Sequence, residues 1–523
     1  MRSFLKSSWP SILLAILSFT IHLAFLSYPA QVVFDEVHFG KFVAAYSTGQ
    51  YYFDIHPPLG KLMIASFAKL TNSDLFSERS GAESKSKTTT DQQNPSTSSG
   101  YKNSSVFDFN NIGETMPADI LFTLRFLPAF FGALFVLTFS WLAWLLSRDK
   151  KIALIAGFLI LLDNAFLTQS KFILVDIFML FFEVLTLCFF FLYQRQKSFS
   201  AKWLGYLFLT AIFFGLTISI KWTGLATIGI IGIILLAKIF SKKLTLYLSS
   251  PIASYSEQSE ESPANAGRHK VGDSSASPRW KTGLGLGMTK WVLFKESLVS
   301  LLFLLLIGFT VYLVPFYIHF QLLPNAGTGD AFMSQQFQQE LKYGRENIYQ
   351  PLNFWQKFSE LNKTMLSASA GLTTEHPFGS RWYSWPLNSK PVYYWNQETI
   401  DGFPGWKAKI YFSGNPALWW LAGFGVIFTL LAASTKKGRR HLKPISYILL
   451  LGYFANLLPF IFIKRVTFLY HYLPSLIYAV LILALWLGKF WNSQKIIAVS
   501  ALILITAVFI LLSPLSYGCP LPP

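Results

Sequence analysis

The sequence predicts an all-α, polytopic membrane protein, and three observations predict it. First, 52% of the 523 residues are hydrophobic and only 13% are charged, about half the charged share of an ordinary soluble domain. So little polar material cannot cover a soluble surface, and so much apolar material excludes a disordered chain. Second, the apolar residues gather in about eleven runs, each near the ~20 residues needed to cross a hydrocarbon core. Third, the cations punctuate those runs. Lys and Arg number 44 against 26 Asp and Glu, a net charge of +18. In a soluble chain that excess would suggest nucleic acid. Spaced between apolar runs it reads as membrane orientation, and no nucleic-acid partner is expected.

The runs are 10–28, 119–146, 152–167, 172–193, 203–219, 223–240, 297–319, 415–433, 445–463, 474–491 and 496–512. Arg2 and Lys6 precede the first. It lacks a small-residue cleavage site, so it reads as a retained anchor rather than a signal peptide. Arg148, Lys150 and Lys151 follow the second run, Arg195, Lys197 and Lys202 the fourth, and Lys242 and Lys243 the sixth. Lys436, Lys437, Arg439, Arg440 and Lys443 follow the eighth, and Lys489 and Lys495 the tenth. All fall on one side if the N-terminus is cytoplasmic, and the odd number of spans then puts the C-terminus outside.

Two large loops, 29–118 and 320–414, fall outside, and one, 241–296, inside. Within them, 77–105 is rich in Ser, Thr, Gln, Asn and Lys, and 249–287 in Ser, Glu and Gly. Both are expected to be disordered, because neither buries enough apolar surface to offset its ordering entropy. Cys188 and Cys519 stand far apart, which argues against a disulfide framework or a zinc site.

The exceptions to the charge rule point to chemistry. Lys61, Lys171, Lys221, Lys464 and Arg465 lie at outer ends of runs, and Arg125 lies inside the second. A cation at mid-helix costs about 2.5–3.5 kcal/mol on insertion scales. Arg125 reads either as a snorkelling or ion-paired side chain or as a ligand for an anionic headgroup; several converging cations favour a phosphate. Asp35 and Glu36 are adjacent just past the first run. One cation cannot easily satisfy both, so one is expected to keep a raised pKa suited to acid–base work. Asp163, Asp176 and Glu183 lie in or beside the third and fourth runs; Asp163 and Glu183 read as buried structural partners. In Tyr51-Tyr-Phe-Asp54-Ile-His56-Pro57-Pro58-Leu59-Gly60-Lys61 the prolines fix the backbone and start an interfacial helix. His376-Pro-Phe-Gly-Ser-Arg381-Trp382-Tyr383-Ser384-Trp385-Pro386 is aromatic-rich, suited to stacking on sugar rings or to anchoring at headgroup level. Lys464-Arg465 through Tyr470-His471-Tyr472 joins the ninth and tenth runs outside.

These motifs, in this order, resemble those of the protein O-mannosyltransferases. The resemblance rests on Asp35-Glu36, His56 to Lys61, Leu162-Asp163-Asn164-Ala165, Gln169 to Asp176, Lys221-Trp222-Thr223-Gly224 and Tyr470-His471-Tyr472. His376 to Pro386 resembles the bacterial branch. The family implies a GT-C glycosyltransferase fold and a polyprenyl- or dolichyl-phosphate-mannose donor. It implies Ser or Thr hydroxyls of secreted or membrane proteins as acceptors. Asp35 and Glu36 then supply the catalytic base. Arg125, Lys221 and Arg465 are candidates for the donor phosphate, and His56, Lys61, Asp176, Tyr470, His471, His376, Arg381 and Trp382 for substrate contact. Eukaryotic members carry a β-trefoil module in the second outer loop. The loop 320–414 is too short for one, which implies a bacterial-type enzyme of the plasma membrane. No Gly-rich nucleotide loop appears, as a lipid-linked donor would allow. Carboxylates could hold a divalent metal, and the sequence leaves metal dependence and oligomeric state open. A related transferase acting on a lipid or polysaccharide is the nearest alternative reading, and a transporter a more distant one. The stretch 77–105, hydroxyl-rich and on the expected active-site face, is a candidate acceptor in cis.

Overall fold

The structure, a computed structural model, describes residues 2–71, 109–250, 290–400 and 402–523. The stretch 77–105 and nearly all of 249–287 lie outside the described residues. The chain is mostly helical. α1 (Arg2–Leu23) is followed by two loop helices, α2 (Glu36–Thr48) and α3 (Leu59–Thr71). The bundle continues with α4 (Ala118–Ser147), α5 (Lys150–Leu161), α6 (Asn164–Lys171), α7 (Asp176–Tyr193), α8 (Ala201–Ile218) and α9 (Leu225–Phe240). After the short α10 (Lys242–Ser249) comes the long α11 (Lys290–Leu322). The second outer loop contains α12 (Gln335–Tyr343) and α13 (Phe354–Gly371). The chain returns through α14 (Pro416–Ser434), α15 (Lys436–His441), α16 (Pro444–Leu457), α17 (Leu473–Ser493) and α18 (Lys495–Tyr517).

Among the described residues, nine helices are long and apolar enough to cross a membrane. The bent pair α5–α6 makes a tenth, and the shorter apolar stretch Trp9–Leu23 accounts for the eleventh expected run. The helices form layers. The most apolar part of α7 is 89% buried and that of α17 78%, against 17% for α18. α7 and α17 therefore form the centre. α18 presents Ile503, Leu504, Ile510 and Leu511 outward, as a lipid-facing helix does.

Two departures from the expected runs matter for the site. The third run bends by 60° between α5 and α6. Asp163 caps the new helix, its Oδ1 accepting from the N–H groups of Ala165 and Phe166 at 3.0 and 3.2 Å. Its Oδ2 accepts from Trp419 Nε1 at 2.7 Å and Asn415 N at 3.2 Å. A broken helix in the bundle is tolerated because protein groups satisfy the freed backbone. As a result the polar α6 is wholly buried. The fourth helix then starts at Asp176 rather than at 172, which places a carboxylate in its first turn, where the helix dipole favours it.

The expectation of an all-helical chain needs one addition. β1 (Val392–Gln397), β2 (Lys407–Phe412) and β3 (Pro520–Leu521) form a small antiparallel sheet in the order β1-β2-β3. Val392 pairs with Phe412 and Gln397 with Ala408. Tyr394, Trp395, Ala408, Ile410 and Phe412 are buried, so the sheet docks on the bundle by its apolar residues.

The two large loops, around 29–71 and 320–414, are also laced together. Gln50 bridges Asn325, Tyr51 N–H donates to Asn325 O at 2.9 Å, and Gly329 N–H donates to Tyr51 O at 3.2 Å. A Cβ on Gly327 would stand 2.3 Å from Tyr51 O, and one on Gly329 2.0 Å from Phe53 N. Backbone cannot yield as a side chain can, so only glycine permits this crossing.

Candidate active site

Asp35 and Glu36 are neighbours with opposite surroundings. Glu36 is fully buried, and its carboxylate accepts Arg125 Nε and one terminal nitrogen at 2.7 Å each. It also accepts the N–H groups of Val33 at 2.8 Å and Ile173 at 3.0 Å. Arg125, also fully buried, gives its remaining donors to the carbonyls of Leu26, Pro29 and Gln31 at 2.8–3.1 Å. This fork-to-fork pair with filled lone pairs is the geometry in which a buried ion pair holds. Arg125 is therefore corrected from phosphate ligand to structural clamp, and Glu36 from candidate base to its partner. Together they tie the first outer loop to α4 and to the strand-like crossing before α7.

Asp35 has no such ion-pair partner among the described residues. Its backbone carbonyl starts α2, accepting from His38 and Phe39 N–H, yet its side chain makes no capping bond, although Asp at this position usually does. Burial, with Asp176 and Asp54 nearby, pushes its carboxyl up to about 7, while Lys221 pulls against the rise. The backbone beside it is strained. Phe34 has φ +48°, a conformation that costs free energy for a bulky L-residue and recurs at functional sites. Its ring stacks on Tyr394 at 3.9 Å, and its N–H donates to Tyr394 O at 3.0 Å.

Tyr394, in β1, begins a chain into the bundle. Its hydroxyl donates to Gln169 Oε1 at 2.7 Å, Gln169 Nε2 donates to Asp176 Oδ2 at 2.8 Å, and Lys221 Nζ donates to Asp176 Oδ1 at 2.7 Å. Lys221 also lies over the Tyr470 ring at 5.7 Å. Gln169 and Tyr394 were not singled out as site residues from sequence. Gln169 stood inside a recognised motif, but Tyr394 is one of many aromatics, and nothing local distinguishes it.

The remaining cations close the other side. Lys61 pairs with Asp54 and donates to His56 O at 2.8 Å. Burial lowers its pKa against the pull of Asp54. His56 is held well below its ordinary value by burial and by Lys221, Lys61, Arg465 and His471, so it stays neutral. Arg465 gives one nitrogen to Ser369 Oγ at 2.8 Å and another to His471 Nε2 at 3.1 Å. Among the described residues these bonds use two of its five donors. His471 stacks on Tyr470 at 4.7 Å. The structure thus brings together Asp35, His56, Lys61, Asp176, Lys221, Arg465, Tyr470 and His471. The aromatic motif is different. His376 is exposed, one ring away through Phe468 at 5.1 Å. Trp382 packs against the core, and Arg381 is exposed; neither makes a described polar contact with the cluster. Arg381 is corrected from the site to the surface. Among the described residues, no three or more His, Cys, Asp and Glu side chains group so as to hold a metal.

The profile of the family described as dolichyl-phosphate-mannose-protein mannosyltransferase matches residues 12–90 and 99–324. The chain belongs to the protein O-mannosyltransferase family. A second profile, the C-terminal four-span region of protein O-mannosyltransferase, matches 354–523. The chain is 29% identical over 330 residues to dolichyl-phosphate-mannose–protein mannosyltransferase 1 of Saccharomyces cerevisiae, which is 63% of this chain and 32% of that one. It is 27% identical over 342 residues to protein O-mannosyltransferase 1 of Drosophila melanogaster, 65% and 30% of the two chains. It therefore spans about a third of the length of these mannosyltransferases. The solved S. cerevisiae Pmt1-Pmt2 complex bound to the sugar donor contains a chain that matches with a TM-score of 0.75. The match has 18% identity and covers 98% of this chain and 90% of that one. The fold is thus the GT-C fold expected for an O-mannosyltransferase.

Proposed function

We propose that the chain transfers mannose from a polyprenyl-phosphate-mannose donor to Ser or Thr hydroxyls of proteins at the extracytoplasmic membrane face. The observation that carries the reading is Asp35, a carboxyl raised to about 7 that makes no side-chain hydrogen bond among the described residues, with the Lys221–Asp176 pair acting on it. A group titrating near the operating pH is suited to general base work. Asp35 takes the proton as the acceptor oxygen attacks the anomeric carbon. The bond from that carbon to the phosphate oxygen breaks, the electron pair leaves with the polyprenyl phosphate, and the configuration inverts. Lys221 and the spare donors of Arg465 hold the phosphate as its charge grows, an interaction strongest in the transition state. Neutral His56 and the stacked Tyr470–His471 pair shape the space around it.

The orientation belongs to the same reading. The basic clusters Lys242–Lys243 and Lys436–Lys443 lie at the helix ends opposite the site, so the positive-inside rule puts Asp35 outside and the N-terminus in the cytoplasm. The proposed membrane is the bacterial plasma membrane. Membranes carrying the chain, given radiolabelled polyprenyl-phosphate-mannose, should label protein in an Asp35-dependent manner. Label confined to lipid or polysaccharide would replace the proposal with a related transferase. Peptide mass spectrometry of 77–105 tests whether that stretch is an acceptor; unmodified peptide from active membranes would count against it.

A further inference from the structure

α9 begins just after Lys221 and α16 ends shortly before Arg465, so both helices run from the candidate site to the far end of the bundle. The 16 residues of α9 span about 24 Å at ~1.5 Å per residue. At that far end α9, α10 and the start of α16 line a half-open cavity of about 250 Å³. Ile233, Ile234, Ala237, Leu244, Ile448 and Leu451 supply most of its lining, with Ser241, Lys243 and Tyr447 as the polar members. A mostly hydrocarbon lining gives water few partners, and an apolar chain segment suits it better.

The rim has the opposite character. Lys242 and Lys243 are exposed in the first turn of α10, and Lys436, Lys437, Arg439, Arg440 and Lys443 are exposed nearby in sequence from α16. Lys243 Nζ donates to Leu442 O at 3.3 Å, which ties the two basic segments at one mouth. Neither 241–250 nor 434–447 contains an acidic residue, so these segments supply no counter-charge of their own. A soluble anion would leave the apolar cavity unused, and a neutral lipid would leave the cations unused. The donor's phosphate is handled at the other end of both helices. We propose that this cavity holds an acyl chain of an anionic phospholipid, with its phosphate at Lys242 and Lys243.

The experiment is native mass spectrometry of the delipidated full-length protein, titrated with phosphatidylglycerol or phosphatidylcholine of identical chains. One phosphatidylglycerol should bind at least tenfold more tightly than phosphatidylcholine. The double variant Lys242→Gln/Lys243→Gln should lose about 30-fold, since each surface cation contributes roughly fivefold. Ala237→Trp should expel the lipid without changing charge, and Ala237→Leu is the milder substitution should the first not fold. Diazirine-tagged phosphatidylglycerol should crosslink to peptides spanning 233–250 and 444–451. Equal binding of the two lipids, an unchanged double variant, crosslinks elsewhere, or displacement by polyprenyl phosphate would each overturn the assignment.

Discussion

Ionising Asp35 is expensive because burial and two nearby carboxylates oppose the charge, with Lys221 offsetting part of the cost. Its folded pKa is raised, so in the proposed mechanism the deprotonated base is lost as pH falls through about 7. Transfer should drop about tenfold per unit below that point, reaching ~100-fold at pH 5, in a pH–rate profile of kcat/KM. Asp54→Asn removes one opposing charge and should move that limb to lower pH. Asp35→Asn should lower the transfer rate by about 10²–10⁴-fold while the protein inserts and folds normally. Glu36→Gln should behave differently. It strands Arg125 in a buried site, a loss of about 3–5 kcal/mol, read as reduced thermal stability and yield before any kinetic effect. The sequence marked both carboxylates and could not tell them apart. What separates them is Arg125, 89 residues away, whose choice of partner is set by packing. The same distance explains why Arg125 looked like a free cation: its acceptors include three loop carbonyls, and no side-chain pattern reveals those.

Helices were the legible elements, because spans of apolar residues need only length and composition. Their breaks were less so. The run 152–167 gave no sign of a 60° bend, although Asp163-Asn164 in mid-run is a capping signal in retrospect. The sheet also left a trace: Lys407-Ala-Lys-Ile-Tyr-Phe alternates with period two. Its docking point was invisible, since Tyr394 meets Gln169 across 225 residues. This contact carries a prediction for the element. Tyr394→Phe keeps the ring stacked on Phe34 and removes only the hydroxyl, a loss of about 0.5–1.5 kcal/mol for one hydrogen bond. If the sheet positions Asp176 and Lys221 through Gln169, donor KM should rise while the melting temperature changes little. An unchanged KM would leave the bond a packing detail. A second element test concerns the cap. A Cβ on Gly414 would stand within 2.4 Å of the Trp419 ring, so Gly414→Ala should push Trp419 off Asp163 and destabilise the α5–α6 bend.

At the scale of the molecule, polarity along the membrane normal is the organising fact. One end of the bundle carries the carboxylates and the paired cations of the site, the other the exposed clusters Lys242–Lys243 and Lys436–Lys443. Single cysteines introduced into a Cys188→Ala/Cys519→Ala background should report this directly. Tyr383→Cys should react with an impermeant thiol reagent on intact cells, and Lys437→Cys only after permeabilisation; the reverse pattern would invert the topology. Composition already implied a membrane body, since hydropathy acts summed over many residues. The glycine crossing did not show in the sequence, because Gly327 and Gly329 matter only for the backbone they meet. It has a consequence for modularity. The two outer loops are interlocked, so neither is an independent cassette for recombination. A chimera that takes 320–414 from a relative should misassemble unless 29–71 travels with it, and paired exchange should restore expression. Inheritance of the two loops as a unit would make acceptor choice a property of both at once.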